Sequence, residues 1–219
     1  MEFLRPDSEF MESVGRVADY IIINLLCLVC SLPIVTIGAA FTAKFYVSMK
    51  MVKGEEPGVV QAYFKSFKEN FRQATITWII SLVVILILAF DWYQVIYGMA
   101  STMPFGLKVA LGVMSFLVWS VVYCMFPFLA RYEVTNKELF KASMVMAILN
   151  FPRMFLIFIV TFFPYIICAW YIQWGLAIWL FATTVSLYYI SKEFNKQLEM
   201  IISTEGGEVV DESGNTQES

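Results

Sequence analysis

Ile79-Ile80-Ser81-Leu82-Val83-Val84-Ile85-Leu86-Ile87-Leu88 is a ten-residue run with one hydroxyl and no charge. It lies inside eighteen uncharged residues, Gln73 to Phe90, bracketed by Arg72 and Asp91. A bilayer's hydrocarbon core is crossed by about 20 apolar residues in a helix, within a range of about 17–25. Three more charge-free intervals follow the same logic: Tyr20–Ala43 (24 residues), Val109–Ala130 (22) and Met154–Ser191 (38). A single helix of the last length would measure ~57 Å, nearly twice the ~30 Å core, so a reversal is expected at Gln173-Trp174-Gly175. The reading is an all-α integral membrane protein, a bundle of five spans at about 20–37, 73–90, 109–130, 154–171 and 174–191.

Composition agrees. Of 219 residues, 59% are hydrophobic and 15% charged, with a mean hydropathy of +0.70. Soluble domains run at about 45–50% apolar and about 25% charged. The excess needs a solvent other than water. There is no histidine, which excludes Ser-His and Cys-His nucleophilic pairs, imidazole zinc sites and a histidine pH switch. No GxxxxGK[ST], GxGxxG or HExxH occurs, and no acids or metal ligands converge on one helix face. The chain is not expected to be an enzyme, to hold a cofactor or metal, or to bind nucleic acid.

Pro33 interrupts the first interval, because proline lacks an N–H and clashes with the preceding helical turn. One reading is a span ending near Thr36 with a short second helix after it. The other is a broken re-entrant pair that returns to the side it came from, its irregular backbone buried in protein or facing water. The simple span is favoured here.

Lysine and arginine set orientation. Alternate loops hold twelve of them against three: the loops after the first and third spans and the C-terminal segment carry the twelve. The expected topology puts the N-terminus outside and the C-terminus in the cytoplasm. A re-entrant first segment would move only the N-terminus. Glu2, Asp7, Glu9 and Glu12 argue against a cleavable signal peptide. Residues 203–219 hold five acids, no base, three glycines and no aromatic, so they read as a disordered acidic tail.

Two cytoplasmic amphipathic helices are expected, at 57–72 and 136–150. In the first, Val59, Val60, Tyr63, Phe64, Phe67 and Phe71 share one face, and Gln61, Lys65, Lys68 and Arg72 another. A basic face opposite aromatics fits a helix lying on an anionic membrane surface, the favoured reading, with a docking surface for a partner as the alternative that can coexist with it. Tyr63, Lys65, Phe67, Lys68 and Arg72 are the candidate partner or membrane-interface residues. Gly38, Ala39 and Ala43 are candidates for close helix packing. The second helix opens on Thr135 and Glu138, a capping box in outline, with Phe140, Met144, Ala147, Ile148 and Phe151 on one face. Phe64-Lys65…Asn70-Phe71-Arg72 is echoed by Phe140-Lys141…Asn150-Phe151-Pro152-Arg153, a faint sign of internal duplication.

The remaining motifs read as structure. Cys27-x-x-Cys30 has redox spacing but sits in an apolar helix without a second pair, where cysteine acts as a small hydrophobe; Cys124 and Cys168 read alike. Among polar residues at membrane depth, only Asn24 looks deep, while Asp91, Gln94 and Gln173 fall at outer ends. Trp92, Tyr93, Tyr97, Trp170, Tyr171 and Trp174 fit an outer aromatic belt.

Ser31-Leu32-Pro33-Ile34-Val35-Thr36-Ile37-Gly38-Ala39-Ala40 resembles the end of the first span in the YesL family of bacterial integral membrane proteins. Lys53-Gly54-Glu55-Glu56 and Phe64-Lys65-Ser66-Phe67-Lys68-Glu69-Asn70-Phe71-Arg72-Gln73-Ala74 resemble that family's first cytoplasmic loop, and Arg131-Tyr132 fits the end of its third span. The likeness covers most of residues 1–200. It implies a multi-span protein of the bacterial plasma membrane, from a family whose genes often lie beside carbohydrate ABC transporters and glycoside hydrolases. It supplies no catalytic residue, and the acidic tail departs from the pattern. The expected function is therefore a non-enzymatic accessory protein of carbohydrate uptake, partnered by the lipid bilayer and by subunits of a sugar ABC transporter, with self-association left open. The alternative is a small channel or carrier that itself moves a solute.

Overall fold

The computed structural model describes residues 9–55, 58–98, 102–132, 135–149, 151–159, 183–185 and 187–196, with no strand among them. The helices are α1 (Glu9–Cys30), a 3-10 turn (Ile34–Thr36), α2 (Ile37–Val52), α3 (Val59–Tyr97), α4 (Phe105–Leu129) and α5 (Asn136–Leu149). They continue with α6 (Phe151–Ile159) and α7 (residues 187–196). Two of these, α3 and α4, are long and apolar enough to cross a membrane, and the bent pair α5–α6 makes a third if it is one span. The reversal expected at Gln173–Gly175, most of the spans expected at 154–171 and 174–191, Cys168, Trp170, Tyr171, Trp174 and the tail at 203–219 lie outside the described residues.

The first span, expected at 20–37, is not one helix. Without an N–H at Pro33 the helix ends at Cys30. The Thr36 hydroxyl takes up the carbonyls this leaves, reaching Cys30 O at 2.6 Å and Pro33 O at 2.8 Å. From there α2 runs back beside α1. Tyr20, midway along α1, meets the Tyr188 ring at 6.0 Å, while Ser48, late in α2, meets the Ser191 hydroxyl at 2.6 Å. Those two partners are neighbours on α7, so the middle of α1 and the end of α2 lie side by side. Leu32, Ile34 and Val35 are exposed at the tip of this hairpin. Its apolar arm Tyr20–Cys30 is ~16 Å long, about half of the hydrocarbon core.

A full Schellman motif ends α2: Glu55 N–H donates to Lys50 O at 3.2 Å and Gly54 N–H to Met51 O at 3.1 Å. Gly54 stands at φ +79, the left-handed conformation that the motif demands and glycine tolerates. The chain then turns into α3, antiparallel to α2.

Helix α3 corrects a second expectation. The amphipathic segment expected at 57–72 and the span expected at 73–90 are one unbroken helix of 39 residues. Neither glycine nor proline falls between Val59 and Tyr97, so nothing interrupts the backbone ladder. At ~58 Å it is nearly twice the hydrocarbon thickness. The amphipathic half therefore prolongs the span instead of forming a separate helix.

Helix α4 returns antiparallel to α3. Trp92 Nε1 donates to Ser115 Oγ at 3.0 Å toward one end, and the Trp78 and Phe126 rings are 6.3 Å apart toward the other. At the start of α5, Thr135 N–H donates to Glu138 Oε2 at 3.0 Å, one arm of a capping box. The axes of α5 and α6 meet at 89°, with Pro152 in the first turn of α6. The corresponding stretch of α3 has no proline and continues as one helix, so the two halves of the sequence echo differ at this point, while most of the helix expected after the second lies outside the described residues.

Candidate functional site

The centre of the molecule is the contact of α2 with α3. Gly38, Ala39, Ala40 and Ala43 are fully buried there, and their small side chains let the two backbones approach. Tyr63 reaches across and donates its phenol hydrogen to Ala40 O at 3.2 Å. Trp78 Nε1 donates to Ile34 O at 2.7 Å, fixing the tip of the α1–α2 hairpin against α3.

The five residues expected to form one interaction surface divide in two. Tyr63 is fully buried. Phe67 stacks on it at 6.3 Å and packs against the core. The aromatic pair is thus internal packing, which corrects the expectation of a partner-facing role. Lys65, Lys68 and Arg72 are exposed and form a basic ridge along the extension of α3. Val60, Phe64 and Phe71 are exposed as well. The periodicity identified which residues share a face, but α2 covers the side that carries Tyr63.

Charge on the ridge is lightly compensated. Lys65 Nζ stands 4.0 Å from Glu69 Oε1, both well exposed, and such surface pairs contribute at most about 1 kcal/mol. At the α2–α3 turn, Lys50 lies 3.5 Å from Glu55 and over the Tyr46 ring at 4.9 Å. Partial burial lowers its ammonium pKa, but Tyr46 and Glu55 outweigh this and raise it overall.

Sequence reasoning missed a buried polar seam. Asn24 Nδ2 donates to Thr184 Oγ1 at 3.2 Å, Ser48 and Ser191 share a hydrogen bond at 2.6 Å, and Asn195 Nδ2 donates to Met49 O at 3.1 Å. Arg131 Nη1 closes the seam on Asn195 Oδ1 at 2.8 Å. Thr184, Ser191 and Asn195 recur at i, i+7 and i+11, a helical stripe that was the available signal. Asn24 Oδ1 is buried without a hydrogen-bond partner in the structure. The seam is amide and hydroxyl until it reaches Arg131.

Among the described residues no group of three His, Cys, Asp or Glu could hold a metal. Cys27 and Cys124 are buried free thiols and Cys30 is a half-buried one.

Against known proteins, residues 20–92 match the family described as "Protein of unknown function, DUF624". The matched stretch contains both the Ser31–Ala40 and the Phe64–Ala74 motifs. No curated protein and no solved structure matches the chain.

Proposed function

We propose that this chain is a non-enzymatic membrane accessory protein of carbohydrate uptake that works by assembling with membrane partners, such as subunits of a sugar ABC transporter. The observation that carries the assembly reading is the basic ridge of Lys65, Lys68 and Arg72 on a helix nearly twice as long as the hydrocarbon core is thick. A helix that only crossed the membrane would not need this prolongation. Its exposed face mixes cations with Val60, Phe64 and Phe71, the composition of a surface that binds an acidic, partly apolar partner. The carbohydrate context rests on the resemblance of the Ser31–Ala40 and Phe64–Ala74 motifs to the YesL family.

The proposed location is the bacterial plasma membrane. The α1–α2 hairpin enters and leaves on one face, and the crossings are α3, α4 and two within residues 154–191. Both termini then lie on the cytoplasmic side. Fourteen of the fifteen basic residues share that side, with Lys108 opposite, a stronger asymmetry than the twelve against three of a straight first span.

Co-purification from mild detergent tests the assembly. Permease or ATPase subunits of a sugar transporter should accompany the wild-type chain and be lost from Lys65→Glu/Lys68→Glu/Arg72→Glu. A chain that purifies without any such subunit overturns the reading. The buried polar seam favours a second reading, a small channel or carrier. Sugar uptake into liposomes holding this protein as their sole protein would establish it.

A further inference from the structure

Between α3, α4 and α5 lies a groove of about 740 Å³. Thr77, Ile80, Ser81 and Val84 line it from α3, and the face of α4 from Met114 to Met125 lines the other wall. Asn136, Lys137 and Phe140 of α5 close one end. Asn136 and Lys137 stand at the end on the side of the basic loops; apart from Thr77 and Ser81 the rest of the lining is apolar, Leu139 and Met144 of α5 included, and Ser81 Oγ donates to Thr77 O at 2.8 Å. Gln73 Nε2 donates to Asn136 Oδ1 at 2.9 Å and pins α5 to α3 beneath the mouth.

The depth of the groove is informative. From Thr77 to Val84 is ~10 Å of helix, and from Met125 to Met114 is ~16 Å. Its far end on α4, Met114, adjoins the Ser115 that pairs with Trp92, so the slot follows the two helices from the basic face through the apolar interval and offers an acyl chain apolar side chains along its length. At the mouth Lys137 is exposed, Lys141 follows one turn on, and the nearby acid Glu138 accepts the Thr135 N–H.

The geometry points to a site for one anionic phospholipid of the basic-side leaflet, its acyl chain between α3 and α4 and its phosphate on Lys137. This inference is independent of the proposed function.

Native mass spectrometry of the whole chain in detergent tests it, using phosphatidylglycerol and phosphatidylcholine with identical acyl chains. The wild type should retain one phosphatidylglycerol with roughly a fivefold preference, the weight of one surface lysine against an anionic lipid. Lys137→Gln should lose the preference, and Val118→Trp, which fills the groove, should lose retention of both lipids with helicity unchanged. Lys196→Gln, an exposed lysine of α7 outside the groove, should behave as wild type. Equal retention of the two lipids by the wild type overturns the site, as does a preference that survives Lys137→Gln. If Val118→Trp does not fold, Lys137→Gln, at an exposed position, decides alone. A second copy of the chain in place of lipid also overturns it.

Discussion

Gly38 stands so close to α3 that a β-carbon on it would lie 2.5 Å from the Ala74 carbonyl oxygen. The Cβ of Trp78 would be 2.6 Å away on the same side. The first obstacle is backbone and cannot swing aside, so even the smallest side chain forces α2 and α3 apart. Opening that contact also strains the Trp78–Ile34 hydrogen bond at the hairpin tip. Gly38→Ala should destabilise the protein by about 1–3 kcal/mol, the usual cost of overpacking, and Gly38→Val by more. Thermal unfolding in detergent measures both; a Gly38→Ala protein as stable as wild type would show that the helices are not held at this distance.

Glycines elsewhere should respond differently, because the cause differs. Gly54 has open space around it, and its left-handed φ is what excludes other residues. Gly54→Ala should cost about 1–2 kcal/mol, with Gly54→Asn milder because asparagine tolerates that region. Gly106, in the first turn of α4, has open space and no positive φ. Gly106→Ala should therefore stabilise by about 0.4–1 kcal/mol, chiefly by restricting the unfolded chain. The same thermal assay should rank the three alanine variants with Gly106→Ala highest.

These contrasts bear on what the sequence made legible. The charge brackets around α3 and α4 located both helices, since a charge in hydrocarbon is costly wherever the helix packs. Thr135 and Glu138 marked the start of α5, because a cap is a local interaction. Pro33 announced a break, but the direction of the chain after it depends on contacts with α7, more than a hundred residues away. Tyr63 and Lys65 show the limit of periodicity: it grouped the residues correctly, and only the position of α2 decides which of them is covered. The Arg131–Asn195 pair had no local signature at all.

That pair makes a separate prediction. Arg131 donates to Asn195 Oδ1, and Asn195 in turn donates to the Met49 carbonyl, so one buried amide joins α2, α7 and the residue just past α4. Asn195→Ala removes both bonds and leaves a buried carbonyl and a half-buried guanidinium without their amide. Hydrogen bonds to charged groups contribute about 1.5–3 kcal/mol, so a loss of about 2–3 kcal/mol is expected. A double-mutant cycle with Arg131→Ala should show coupling above about 0.5 kcal/mol. Lys65→Ala on the ridge should lie within about 0.5 kcal/mol of wild type. Additive effects of Arg131→Ala and Asn195→Ala would mean that the bond contributes nothing.

The hairpin of α1 and α2 makes the sharpest claim about topology. A straight first span would carry the N-terminus across the membrane; the apolar arm before Pro33 is only ~16 Å long, and the chain turns back with Ile34 held by Trp78. On α3, Trp78 lies six residues past Arg72, ~9 Å along the helix, so the tip is shallow and the returning helix reaches Lys50 on the side where α1 began. Reporters fused to the N-terminus and to the C-terminus should both read as cytoplasmic: fluorescent protein bright, alkaline phosphatase inactive. A phosphatase inserted after Met103, between α3 and α4, should be active. Leu32→Cys, in a background without other cysteines, should resist a membrane-impermeant maleimide from either side, while Lys65→Cys reacts from the cytoplasmic side. An active N-terminal phosphatase would instead place the start of α1 outside and restore the straight span.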